Sequence, residues 1–181
     1  QEAKTAFQGL VKSVLAEVSL LDDTIVGLEP KQYIFRINRD VRFTQNKKPY
    51  KENFGAAMAK GGKKSVFACY YLQLEPGNSV LAGGCYMPQP AELSKIRQEI
   101  DYNAADLRAV LEAGSFKKYF GEIHGEELKT APRGYAKDHP EIDLLRKKSF
   151  AMWYKLTDQE VLSANFLSHV IQVYHAMLPL N

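Results

Sequence analysis

The densest concentration of groups able to do chemistry lies between Arg36 and Lys64, where nine lysines and arginines stand against Asp40 and Glu52. That is a local +7 in 29 residues; the other 152 sum to −4, and the whole chain, with 24 Lys+Arg and 21 Asp+Glu, carries a formal +3. Within this stretch Arg36, Arg39, Asp40, Arg42 and Phe43 are followed by Lys47, Lys48, Pro49, Tyr50 and Lys51, so cations alternate with aromatic rings near a rigid turn. Guanidinium groups hold a carboxylate or phosphate through two parallel hydrogen bonds, and lysines add point charge. The pattern predicts an anion pocket: Arg36, Arg39 and Arg42 fix the anion, Lys48 and Lys51 strengthen the field, and Tyr50 and Phe43 offer stacking faces. The competing expectation is that Asp40 pairs with one or two of these arginines and the lysines form a solvated surface.

A second cluster runs through Lys129, Pro132, Arg133, Gly134, Tyr135, Lys137, Asp138, His139 and Pro140 to Arg146, Lys147 and Lys148. A loop of this composition can fold over a bound ligand, so Arg133, Tyr135 and His139 are expected to close over an anion held by the first cluster. Asp40 and His139 are the candidate acid–base groups, because a histidine titrates near neutrality; a turn and capping role for His139 is the alternative. GxxxxGK[ST], GxGxxG and GxSxG are all missing, which removes the commonest nucleotide-binding and hydrolase signatures. His169 and His175 lie about 120° apart on a helix, and Cys69 and Cys85 lack zinc-ligand spacing, so neither a metal nor a cofactor is expected.

These groups need a scaffold, and the chain can supply one. Its 181 residues are 45% hydrophobic and 25% charged, which suits one soluble globular domain spanning residues 1–181. The longest apolar run, residues 66–72, is far short of the roughly 20 needed to span a bilayer. Residues 1–21 place Phe7, Leu10, Val11, Val14, Leu15 and Val18 on one helical face. Charges at Glu2, Lys4, Lys12 and Glu17 interrupt any signal-like block, so the expected compartment is cytoplasmic.

Residues 31–43 alternate, with Phe35, Ile37, Val41 and Phe43 on one parity, which predicts a half-buried strand at least through Asn38. Residues 44–64 lose periodicity and read as a long loop. Residues 66–75 and 80–87 flank Pro76-Gly77-Asn78-Ser79 as a hairpin. A turn centred on Gly77 would put Cys69 opposite Cys85, where a disulfide needs suitable geometry, and a shift of one residue would separate them; two buried free thiols in a core hairpin are the expectation. Gly83-Gly84 suggests a bulge or a close backbone approach.

After Pro88 and Pro90 a helix carries Leu93, Ile96 and Ile100, and a second starts at Asn103 and stops at Gly114. Residues 116–124 and 149–157, the latter with the single tryptophan Trp153, are expected strands, with a loop over 128–139 between them. Residues 158–178 read as one long helix whose apolar arc includes Leu162, Phe166, Val170, Val173, Tyr174 and Met177. The expected fold is α+β: a single domain with a mostly antiparallel sheet of about five strands and N-terminal and long C-terminal helices packed on it.

At these residues the chain resembles the family known as domain of unknown function 2461. The likeness rests on Phe35-Arg36-Ile37-Asn38-Arg39-Asp40-Val41-Arg42-Phe43 and Asn46-Lys47-Lys48-Pro49-Tyr50-Lys51-Glu52-Asn53-Phe54-Gly55. It continues through Leu74-Glu75-Pro76-Gly77-Asn78-Ser79, Ala82-Gly83-Gly84 and Met87-Pro88 to Pro132-Arg133-Gly134-Tyr135, Lys137-Asp138-His139-Pro140 and Leu144-Leu145-Arg146. The resemblance covers most of residues 30–150 and implies a further helix, with an Asn-rich turn and a Trp, ahead of the residues seen here. It implies no activity.

The expected function is therefore binding of a phosphate- or carboxylate-bearing small molecule through the Arg/Lys/Tyr pocket. One alternative is an enzyme using Asp40 or His139 on an anionic substrate. Another is a nucleic-acid or protein interaction module built on the loop 44–64, whose signature would be steep salt dependence. No membrane partner is expected, and the oligomeric state is left open.

Overall fold

The computed structural model describes residues 1–27, 29–40, 42, 45 and 47–181. Helix α1, Glu2–Leu21, buries Phe7, Val11, Val14 and Val18, the anticipated three-and-four stripe. It packs on a C-terminal helix and on a sheet whose strands are β1 Phe54–Met58, β2 Cys69–Leu74, β3 Ser79–Cys85 and β4 Phe150–Leu156. Among the described residues the sheet has these four strands, all antiparallel, in the order β1-β2-β3-β4. Because side chains alternate across a strand, Ala56, Met58, Tyr70, Leu72, Leu81 and Met152 face the helices and are buried. Phe54 stacks on Phe7 of α1, and Tyr70 packs on Tyr174 of the C-terminal helix. Among the described residues no helix packs on the opposite face of the sheet, which lines a concavity.

The domain is thus α+β, with departures from the expected elements that have local causes. Residues 30–33 form a short helix, α2 (Pro30–Tyr33), because Pro30 occupies its first turn and Glu29 and Gln32 close a capping box. The strand expected over residues 31–43 begins only after it, as an extended ribbon beside β1. There Phe35 N–H donates to Gly55 O (2.9 Å), Lys51 N–H to Ile37 O (2.8 Å) and Arg39 N–H to Pro49 O (2.9 Å). The parity expected at Val41 and Phe43, the stacking role of Phe43, and Asn46 lie outside the described residues.

Strand β1 falls inside the stretch read as a loop. Its sequence, Phe-Gly-Ala-Ala-Met, has almost no intrinsic strand preference, so pairing with β2 decides its conformation. Residues 116–124, expected to be a strand, instead begin in helix α4, Gly114–Tyr119, because Phe116 and Phe120 meet at the i, i+4 spacing (5.2 Å between rings). His124 alone of that stretch bridges to the sheet, opposite Ala151.

As expected, two helical segments between Pro90 and Gly114 meet at Asn103, which leaves helical geometry at φ −136°, ψ 38°; together they are labelled α3 (Pro90–Glu112). Helix α5, Ile142–Leu145, follows the Pro- and Gly-broken loop. The long terminal helix is divided into α6, Asp158–Val161, and α7, Phe166–Met177. Thr157 and Glu160 form a capping box on α6, and the Ser163-Ala164-Asn165 break leaves Leu162 85% exposed rather than on the buried arc. Among the described residues no helix is long and apolar enough to cross a membrane.

The hairpin register pairs Cys69 with Gly84 and Cys85 with Phe150, so the cysteines are not opposite one another and both are free thiols. Gly84 has φ +85°, and a Cβ there would lie 2.2 Å from the Phe150 carbonyl oxygen. The Asn181 amide spans the same place, accepting from Gly84 N–H (2.8 Å) and donating to Cys69 O (3.3 Å). Gly84→Ala is expected to cost on the order of 2–4 kcal/mol in urea unfolding, from left-handed strain plus backbone overlap. Gly77→Ala, at φ +73° in open space, is expected to cost only about 1–2 kcal/mol.

Candidate functional site

The uncovered sheet face encloses a concavity of about 740 Å³. The register sets one row across it as Ala57, Tyr71, Ala82 and Trp153, with Cys69, Gly84 and Ala151 in the next row and Gln73, Val80 and Lys155 on the other side. The floor is therefore made of alanines and a glycine, and Tyr71 and Trp153 rise on either side of Ala82. Tyr71 leans over Gly55, where a Cβ would lie 2.8 Å from its hydroxyl oxygen. Its hydroxyl donates to Gln73 Oε1 (3.1 Å), and Gln73 Nε2 donates to Glu75 Oε2 (3.0 Å). Phe35, carried by the edge ribbon, meets Tyr71 edge-on at 6.4 Å. Across the floor, Trp153 stacks on His124 with centroids 4.1 Å apart and planes 18° apart, which holds the indole upright.

The charged side chains that line the concavity are of one sign, and Glu75 stands just outside it, bonded to Gln73. Lys51, Lys63, Lys64 and Lys155 line the concavity and no carboxylate does among the described residues. Lys51 stands over the Phe35 ring (5.9 Å), and Lys63 Nζ donates to Lys31 O (3.1 Å). Burial pushes the Cys69 thiol up to about 11, with the neighbouring Cys85 adding to the effect. Burial also raises the Tyr71 phenol, followed by the charges of Cys69 and Glu75.

Of the described residues anticipated for a site, Lys51 lines this concavity; the others lie elsewhere. Asp40 and Arg42 form a two-point ion pair on the exposed edge ribbon, Nε to Oδ1 at 2.9 Å and Nη2 to Oδ2 at 2.6 Å. The Arg42 hydrogen bonds hold the Asp40 carboxyl below its usual range, and Arg36 adds a smaller pull. Lys48 pairs with Glu52 at 2.7 Å, and the charge of Arg39 also lowers Glu52. Tyr50 is 57% exposed and bridges by its backbone to Asn38. These pairs keep the two carboxylates of the ribbon beside its cations.

The second cluster lies on the other side of the sheet, where residues 124–128 run beside 146–151. Arg133 is exposed at the loop tip, and Tyr135 packs edge-on against His139 at 6.1 Å. His139 Nδ1 accepts from Glu141 N–H (3.1 Å), so its proton sits on Nε2, 2.9 Å from Asp101 Oδ1 on α3. Both ring nitrogens are engaged in tying the loop to α3. The structure therefore sets the 36–51 ribbon by β1 and the 133–139 loop by β4 and α3, and does not bring them over one ligand.

Of the residues that do converge, Phe35, Lys63 and Lys64 fell within stretches already singled out, whereas Tyr71, Trp153 and Lys155 carried no motif. The signal available was that, apart from Gln73 and Lys155, both parities of residues 69–74 and 150–156 are apolar or aromatic, which one helical layer can cover on one face only.

Two measurements test these assignments. Burial, the larger cause of the raised Cys69 thiol, persists in a Cys85→Ser variant, so Cys69 there should react with iodoacetamide at pH 8 on the order of 100-fold more slowly than an ordinary exposed cysteine, accelerating about tenfold per pH unit below its pKa. His139→Ala should lower urea stability by about 1–2 kcal/mol, from the loss of two hydrogen bonds, and leave Trp153 fluorescence unchanged.

No curated protein matches this chain, and no solved structure does. The family described as conserved hypothetical protein (DUF2461) matches over residues 1–181, the whole chain. The edge ribbon, the hairpin and the 132–146 loop are the stretches in which the likeness was already visible, and the chain belongs to this family.

Proposed function

We propose that this protein binds an anionic ligand with a planar, apolar body on the open face of its sheet. The observation that carries this is a concavity floored by Ala82, Gly84 and Ala151, walled by Tyr71 and Trp153, and rimmed by four lysines without a carboxylate among the described residues. Small-molecule sites are typically about 300–1,000 Å³, mostly apolar, with a few polar groups that orient the ligand. A phosphate or carboxylate would lie at the lysine rim and the ring system between the aromatic walls. The anion expected at Arg36, Arg39 and Arg42 is thereby moved to Lys51, Lys63, Lys64 and Lys155. Acid–base catalysis has less support, because Asp40 is occupied by Arg42 and both nitrogens of His139 are bonded. The two free thiols support a reducing, cytoplasmic setting.

Trp153 is the single tryptophan, so its emission reports directly on the site. Titration with adenosine monophosphate, a naphthoate and inorganic phosphate should give saturable quenching with at least one of the two aromatic anions. Ala82→Leu, which fills the floor from the solvent side, should abolish it in a folded protein. Lys155→Ala should weaken binding about two- to fivefold, and Arg42→Ala should change it less than twofold. Absence of saturable quenching by both aromatic anions sinks the proposal. Loss of binding in Arg42→Ala with full retention in Lys155→Ala would return the site to the arginine ribbon.

A further inference from the structure

Resting on that reading, we infer that the ligand of the open sheet face is a short single strand of nucleic acid, its bases laid against the aromatic rings and its phosphates met by the separated lysines. Neighbouring strands lie about 4.8 Å apart, so the anchor points of Tyr71 and Trp153, one on each side of Ala82, are about 10 Å apart. Ring faces make contact at about 3.5–4 Å, and Tyr71 leans over Gly55 away from Ala82, so the space above Ala82 is wide enough for a planar base laid against either ring. His124 covers one face of the Trp153 indole, and Trp153 itself lines the concavity. Phe35 adds a third ring beside Tyr71. Stacking of this kind recognises a base by its π face, and the floor of Ala57, Ala82, Gly84 and Ala151 carries no side-chain donor or acceptor to read a base edge. Binding is therefore tolerant of sequence.

The lysines decide between one anion and several. Lys51 stands before β1, Lys155 at the β4 edge, and Lys63 and Lys64 beyond the far end of β1. From strand spacing and rise, these three points are on the order of 15–25 Å apart at the backbone. A single phosphate or carboxylate can satisfy one of them, whereas a chain of phosphates can run from one to the next. Lys64 and Lys155 make no ion pair among the described residues, so their charge is open to such a chain. A duplex keeps its bases stacked on one another and offers the slot nothing. An acidic peptide offers charge to the lysines but no planar group to the slot. Sheet faces of this kind stack about two or three bases.

The test is fluorescence anisotropy of fluorescein-labelled ribo- and deoxyadenosine hexamers at 50 and 200 mM salt. Adenosine monophosphate, hexaglutamate and a 12-base-pair duplex serve as competitors. At least one hexamer should bind ten or more times more tightly than the monophosphate, and the difference between the two hexamers identifies the sugar. With two or three phosphates neutralised, log K should fall with a slope of about −1.4 to −2.1 against log salt, roughly a 7- to 18-fold loss between the two salts. Lys51→Ala and Lys155→Ala, both exposed, should each reduce that slope by about 0.7. Hexamers binding no tighter than the monophosphate, with Trp153 still quenched by the latter, overturn the inference and leave the small-ligand reading standing. No binding of hexamer, monophosphate or naphthoate overturns both. Hexaglutamate or duplex competing as well as unlabelled hexamer also overturns it, in favour of an acidic-peptide or general polyanion surface.

Discussion

The register that sets Tyr70 beside Gly83, and Gly83 beside Met152, governs both faces of the sheet at once. A slip of one residue would turn Leu72, Leu81 and Met152 outward and bring Tyr71, Ala82 and Trp153 against the helices. Several contacts pin it. Gly84 takes a backbone conformation closed to other residues and lies against the Phe150 carbonyl, and Asn181 bonds both strands of the hairpin at that level. At Gly83 a side chain would collide with Met177 of α7, so the helix can settle onto the sheet only where no side chain stands. The same pairing that completes the core therefore fixes the spacing of Tyr71 and Trp153 on the uncovered face.

Charge is arranged at two levels. On the edge ribbon, carboxylates answer cations locally: Asp40 holds Arg42, and Glu52 holds Lys48. These are exposed pairs, and such pairs contribute little to stability. Across the sheet face the lysines come from separate places in the chain, 51, 63, 64 and 155, and line one concavity that no carboxylate lines among the described residues, Glu75 being bonded to Gln73 beside it. Their potentials add over an apolar floor that screens them less than bulk water would. The local +7 of residues 36–64 is thus divided between a paired ribbon and part of an open cationic rim.

On the other side, the 128–148 segment is stitched down by backbone-directed contacts. Arg97 of α3 donates to Leu145 O (2.8 Å), and Arg146 donates to Leu128 O (2.7 Å). Arg108 pairs with both Glu141 and Asp143. Of the residues expected to close over a ligand, His139 instead ties its loop to Asp101 of α3 and Tyr135 packs on it, while Arg133 is exposed at the loop tip.

The amino-acid sequence alone determined the features that rest on contacts close in the chain. Among them are the apolar stripe of α1, the Pro76-Gly77 hairpin, the break at Asn103, strand β4, and the pairing of Asp40 with a neighbouring arginine. Each depends on periodicity, turn chemistry or a side chain two residues away, and so is legible without knowing the fold. Tertiary structure decided the rest. Phe-Gly-Ala-Ala-Met became β1 because β2 pairs with it, and residues 158–178 divided because α7 follows the sheet while Leu162 does not. The open face arose because the helices cover one side of a sheet whose two sides are both apolar. The convergence of Phe35, Tyr71 and Trp153 with four lysines depends on pairings between residues as far apart as Ser79 and Leu156, and no local pattern in a single chain encodes which strands will be neighbours.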